Sequence, residues 1–138
     1  MNLLKKISPE WSLRLGTSVM YLYSGQDIFR YPTAWTWALP YWFTQAVSSI
    51  MPIETYLKIQ GIGEIVMALA LLAWFLKPQI LKYFALLSVL EMAGILLLSP
   101  PSQFGITFRD IGLLGGSIAL FLMLANKTYE SAKPVMVQ

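Results

Sequence analysis

The chain contains no cysteine and no histidine. It therefore cannot supply a disulfide, a thiolate nucleophile, an imidazole base, an axial haem imidazole or an ordinary zinc site. Neither a Ser–His nor a Cys–His nucleophile–base pair can be built, so catalysis by the chain alone is not indicated and no catalytic residue is assigned. Charge is scarce too: 12% of the 138 residues are charged and 57% are hydrophobic, against roughly a quarter charged in an ordinary soluble domain. That balance argues against a water-soluble monomer. The length accommodates a single domain over residues 1–138 and no second globular unit.

Four stretches approach the roughly 20 apolar residues that a bilayer span needs. They cover about 11–29, 56–76, 80–98 and 108–125, with proline in every break: Pro32, Pro40, Pro52, Pro78 and the Pro100-Pro101 pair. Proline cannot continue a helical hydrogen-bond ladder, so these are helix boundaries. A core helix of a soluble bundle would keep a polar face. Residues 65–76 offer no polar side chain but the indole of Trp74, and residues 111–125 only Ser117. The expectation is an all-α integral membrane four-helix bundle.

Lys5, Lys6, Arg14, Lys77, Lys82, Lys127 and Lys133 fall on the side of the termini, and Arg30, Lys58 and Arg109 on the other. The positive-inside bias then places both termini in the cytoplasm of a multi-pass cell-membrane protein. The start, Met1 to Lys6, resembles a signal n-region, but Arg14 breaks the following apolar stretch and no small-residue cleavage site follows. It reads as a retained first span. Anionic lipid headgroups account for the net charge of +3, and no nucleic-acid partner is implied.

The loop at 30–54 holds Trp35, Trp37 and Trp42 with Tyr31, Tyr41 and Phe43. Such rings favour the headgroup layer, which makes this an aromatic-rich interfacial loop between helices 1 and 2. It either anchors the chain in lipid or acts as a lid over the mouth of the bundle, where an aromatic concavity suits a flat apolar ligand.

Ionisable groups at membrane depth are expensive, on the order of 2.5 to 3.5 kcal/mol each on insertion scales, and should face inward. Glu64 and Glu91 sit near mid-span in the second and third stretches, Arg14 and Asp27 near the ends of the first, and Arg109-Asp110 opens the fourth. Helical spacing puts Arg14, Ser18, Tyr21 and Gly25 on one stripe, Gln60, Gly61, Glu64 and Ala68 on another, and Ser88, Glu91 and Ile95 on a third. Gly112 and Gly116 form a small-residue face suited to close helix approach. These acids either fix helix register, with Arg14 or Arg109 as counterion, or mark a ligand or proton site. Lys58, Arg109, Asp27 and Asp110 fall at one end, where they could close a charge network. A metal site is not indicated.

Certain segments resemble a known family. They are Arg14-Leu15-Gly16, Tyr23-Ser24-Gly25, Pro32, Trp35, Leu39-Pro40, Gly61-Ile62-Gly63-Glu64-Ile65 and Ile106-Thr107-Phe108-Arg109-Asp110-Ile111-Gly112-Leu113-Leu114-Gly115. Across about residues 13–124 the chain resembles the DoxX-like small membrane proteins, which include the small subunit of thiosulfate:quinone oxidoreductase. The resemblance implies a four-helix membrane bundle assembled with redox partners and, in some members, linked to the quinone pool. It carries over Arg14, Glu64, Arg109 and Asp110 as a polar core rather than as catalysts. Many relatives have a lysine just after the first-span glycine, where this chain has Gln26-Asp27-Ile28.

The leading expectation is an accessory or quinone-linked subunit of a respiratory or sulfur-oxidising complex, with no cofactor held by its own ligands beyond a quinone. The alternatives are a small-molecule carrier or channel component and a non-catalytic assembly protein. The bilayer and either other membrane subunits or further copies of the chain are the expected partners.

Overall fold

A computed structural model of the chain describes residues 8–132. Lys5, Lys6 and Lys133 of the charge count lie outside the described residues. Every regular element among the described residues is helical: α1 (Pro9–Arg30), a 3₁₀ segment (Pro32–Ala38), α2 (Tyr41–Ser48), α3 (Ile53–Leu72), α4 (Pro78–Leu98), a 3₁₀ turn (Pro101–Gln103), α5 (Phe104–Thr107) and α6 (Asp110–Ala132). By length and composition α3, α4 and α6 can each cross a membrane. α1 is as long, at 22 residues, but its charged and hydroxyl-bearing residues keep its hydropathy below theirs.

Local chemistry sets the boundaries. Ser8 caps α1 by accepting a hydrogen bond from the Trp11 N–H at 3.4 Å, and Pro9 occupies the first turn, where a missing N–H costs nothing. The helix stops at Arg30 because Tyr31 precedes Pro32 and leaves the helical region. α3 runs from Ile53 to Leu72 rather than over 56–76. Pro52 starts it early, and Ala73 turns extended while Trp74 swings out to 80% exposure. α6 continues to Ala132, beyond the apolar run that ends at 125, because its last turns need only good helix formers, not hydrocarbon.

α1 packs along α3, α4 along α6, and α1 also touches α6. The α1–α3 crossing rests on two glycines. A Cβ built on Gly25 would lie 2.6 Å from the Gly61 carbonyl oxygen, and one on Gly61 would lie 2.7 Å from that of Gly25. Only bare backbones can meet this closely. Gly112 and Gly115, by contrast, face open space, and Gly116 comes no nearer to a neighbour than Leu13 at 3.8 Å. The close contact is thus at Gly25 and Gly61, not on the small-residue face of α6.

The interior is unusually polar and the exterior unusually apolar. Ser18, Ser88 and Ser117 are fully buried, whereas Val19, Val66, Leu90 and Leu97 point outward. The Tyr21 hydroxyl donates to Ser88 at 2.9 Å, and the Ser88 and Ser117 hydroxyls hydrogen-bond to each other at 2.7 Å, joining α1, α4 and α6. Around this chain of hydroxyls lie Met67, Leu71, Leu81, Ala85, Leu120 and Leu124.

Candidate functional site: an aromatic cavity over a carboxyl pair

The two ends of the long helices are built differently. At the end that gathers the start of α1, the close of α3 and the close of α6, Arg14 is 4% exposed and fully engaged. Its Nε donates to the Leu71 carbonyl at 2.6 Å, its Nη2 to the Ala73 carbonyl at 2.8 Å, and its Nη1 to Glu10 at 3.3 Å. Its guanidinium also sits over the Trp11 ring, 4.1 Å from the centroid. Glu10 pairs in turn with Lys127 of α6. The guanidinium takes carbonyls that helix termination leaves without partners. Arg14 is therefore not a counterion for Glu64, Glu91 or Asp110. Its partner is Glu10, one helical turn away, a spacing that was readable in the sequence.

The opposite end encloses a cavity of about 580 Å³. Its walls come from the second half of α1, the start of α3, the end of α4 and the start of α6, and the Pro32–Ala38 segment roofs it. Six aromatic rings line it: Tyr21, Tyr23, Trp35, Trp37, Phe43 and Tyr56. Trp35 stacks on Trp37 with centroids 6.4 Å apart, and Phe43 meets Tyr56 edge-on at 5.4 Å. The Trp35 indole N–H donates to Asp27 at 2.8 Å, which latches the roof to α1. Trp42 lies outside the cavity and is 60% exposed.

The polar lining, beside the tyrosine hydroxyls, is Ser24, Gln60, Glu64, Glu91, Thr107, Arg109 and Asp110. Glu64 is 4% exposed and accepts a hydrogen bond from the Ser24 hydroxyl at 2.5 Å. The Glu64 and Glu91 carboxyls are close enough to interact, with Gln60 beside both and Tyr21 beside Glu91. The four-residue charge network does not form. Among the described residues the ion pairs are Glu10–Arg14 and Glu10–Lys127. Asp27 serves Trp35, Lys58 is exposed, and Arg109 donates to the Ile106 carbonyl at 3.3 Å. Asp110 feels the charge of adjacent Arg109 without a direct ion pair.

Glu64, Glu91, Arg109 and Asp110 thus share one chamber, while Asp27 supports its roof and Arg14 belongs to the other end. Gln60 and Tyr21 were visible only as members of helical stripes. Tyr56 carried no signal beyond residue type, and Glu10 only its i,i+4 spacing from Arg14.

A carboxyl accepts hydrogen bonds when ionised and donates one when protonated, so the pair can serve a ligand with either kind of oxygen. The rings supply flat apolar surface, and the volume lies in the range of small-molecule sites, about 300–1,000 Å³. Comparison of the chain with protein-family models, curated protein sequences and solved structures finds no match.

Proposed function

We propose that the chain is a DoxX-like four-helix membrane protein serving as an accessory, quinone-linked subunit of a respiratory or sulfur-oxidising oxidoreductase complex. The single observation that carries the ligand part is the aromatic-roofed cavity floored by Glu64 and Glu91. Three helices long and apolar enough to cross a membrane support the membrane part, together with outward hydrocarbon and inward hydroxyls. In this reading the Glu10–Arg14–Lys127 end is cytoplasmic, and the aromatic roof lies in the outer headgroup layer.

The lining fits a quinone in kind. Stacked indoles offer a face to a flat ring, and Gln60, Tyr56 and the carboxyls offer donors and acceptors to ring oxygens. When bound, a quinone carries electrons and protons between partners, which this chain cannot do with its own side chains. The chain's residues hold and orient the ring, exclude water beneath the roof, and provide carboxyl oxygens where a proton can rest. Electrons enter from a partner subunit.

Purification in mild detergent followed by solvent extraction and mass spectrometry tests the reading. Co-purification of a quinone or of a redox subunit is the expected result; recovery of neither refutes it. A carrier role is the second reading, favoured by the position of the acid pair on two adjoining hollows. Proteoliposome flux that is indifferent to Glu64→Gln and Glu91→Gln removes it.

A further inference from the structure

The cavity is not sealed on every side. α3 packs on α1 and α4 on α6, but α3 and α4 barely touch. Between them lies a second, shallower hollow of about 550 Å³, with Val66 and Met67 of α3 facing Phe84, Leu87 and Leu90 of α4. Val66, Leu87 and Leu90 are each more than half exposed, so this trough opens on the lateral surface of the helices rather than at their ends. Gln60, Glu64 and Glu91 line both hollows. The acid pair is therefore a polar sill between an aromatic chamber and an apolar trough.

We propose that the trough holds the apolar tail of an amphiphile whose flat, oxygen-bearing ring occupies the chamber, and that this ligand is admitted sideways from the lipid between α3 and α4. The inference rests on the quinone-linked reading and adds to it the ligand's shape and route. Continuity selects the occupant. An acyl chain lying in the trough alone would end against three polar side chains with nothing to satisfy them, an unfavourable contact for hydrocarbon. A tailless ring in the chamber would leave the adjoining apolar trough unfilled, and the roof, held by the Trp35–Asp27 hydrogen bond and the Trp35–Trp37 stack, leaves the gap between α3 and α4 as the way in. A molecule with a polar ring at one end and hydrocarbon at the other matches chamber, sill and trough in order. Burial along α3 from residue 60 to 67 gives the tail a path of about 10 Å.

Two glycines supply the test. A Cβ added at Gly63, in the trough, or at Gly94, in the chamber, meets no atom within 4 Å. Gly63→Leu thus fills the trough and Gly94→Leu the chamber without displacing backbone, and matched melting curves verify intact packing. The chain in lipid nanodiscs is titrated with a methyl-dimethoxy-benzoquinone lacking a tail and with the same ring carrying a decyl tail. Quenching of tryptophan fluorescence reads occupancy, with ligand expressed as mole fraction in the membrane.

The decyl form is expected to half-saturate at a mole fraction about tenfold lower than the tailless ring, through van der Waals packing of its tail along the trough, since a tail already in lipid gains no hydrophobic free energy there. Gly63→Leu should shrink that advantage to within about twofold and leave the tailless ring unaffected, Gly63→Ala should retain it, and Gly94→Leu should weaken both forms about tenfold. Equal affinities for the two forms, or a decyl preference that survives Gly63→Leu or is lost in Gly63→Ala, overturns the tail site and leaves the quinone-linked reading standing. Unchanged binding in Gly94→Leu puts the ring elsewhere and overturns the proposal. Binding of neither form overturns both.

Discussion

Replacing Arg14 by leucine removes more than a charge. The guanidinium bonds to the Leu71 and Ala73 carbonyls at 2.6 and 2.8 Å and to Glu10 at 3.3 Å, all in a site where the arginine is 4% exposed. Hydrogen bonds to a charged group contribute about 1.5–3 kcal/mol each. Breaking a buried ion pair by removing one partner costs about 3–5 kcal/mol, because the other charge is left uncompensated. These contributions overlap, and Lys127 still reaches Glu10, so the expected loss is about 3–5 kcal/mol, or about 10–17 °C in melting temperature. Arg14→Lys should fall between, since an ammonium keeps the charge but cannot fork to two carbonyls. The decisive comparison is the double variant Arg14→Leu with Glu10→Leu. It loses the same carbonyl bonds but strands no carboxylate, and should recover about 1 kcal/mol or more relative to the sum of the single losses. Thermal unfolding in one detergent, followed by helical circular dichroism, measures wild type, Arg14→Leu, Arg14→Lys, Glu10→Leu and the double variant. A wild-type melting temperature for Arg14→Leu, or strict additivity in the double variant, refutes the reasoning.

The remaining expectations use the same measurement or a close relative of it. Gly25→Ala drives a methyl to 2.6 Å from the Gly61 oxygen and should cost about 1–3 kcal/mol, whereas Gly63→Ala, with open space around it, should be neutral or gain up to about 1 kcal/mol; equal losses at the two sites would dismiss the crossing argument. Tyr21→Phe removes the bond to Ser88 and should cost about 1 kcal/mol, while Tyr23→Phe, 76% exposed, should stay within about 0.5 kcal/mol of wild type. Trp35→Phe keeps a ring but drops the latch to Asp27, so amide exchange over residues 32–38 should accelerate with little change in melting temperature; unchanged exchange means the roof is held by packing alone. Glu64→Gln can still accept from Ser24 and should fold normally while weakening ring binding in the nanodisc titration.

The all-helical class and the approximate placement of the long helices could be read from the sequence because proline and hydrocarbon runs are local signals. Residues 80–98 became Pro78–Leu98 almost unchanged. The errors arose where a tertiary contact overrode local pattern. α3 ends four residues before its apolar run does, at the carbonyls taken by Arg14 from a helix 57 residues earlier. The site was partly visible: helical phase put Glu64 and Glu91 on inward faces, and the aromatic content of the loop suggested a lid. Which cation would answer which acid was not visible, because several pairings satisfy the same spacing and only the packing of α1 on α3 selects among them. The glycines show the same limit. Gly25, Gly61, Gly112 and Gly116 look alike in sequence, yet only the first two meet another backbone.

α1 poses the hardest question for the membrane reading, since it has the length of a span without the hydropathy of one. Hydropathy scales treat every side chain as if it met the lipid. In α1 most of the costly groups do not, the exceptions being Gln26 and Arg30, exposed near its last turn, and Ser18, whose buried hydroxyl has no hydrogen-bond partner among the described residues. Glu10 and Arg14 engage each other, α3 carbonyls and Lys127, Ser24 donates to Glu64, Tyr21 donates to Ser88, and Asp27 holds the indole of Trp35. Its outward positions Leu15, Val19 and Phe29 are hydrocarbon or aromatic. A helix whose polar side chains are satisfied by its neighbours costs far less to place in lipid than its composition implies, provided that those neighbours are already there. α1 would then be the span most dependent on its partners. Substitutions at the Gly25–Gly61 crossing should therefore disturb insertion of α1 more than that of α4 or α6. Cysteines introduced singly into this cysteine-free chain, at the ends of α1 and of α4, make that measurable by labelling with a membrane-impermeant maleimide. If Gly61→Leu exposes or buries both pairs of ends alike, α1 inserts on its own hydropathy and the argument from its partners fails.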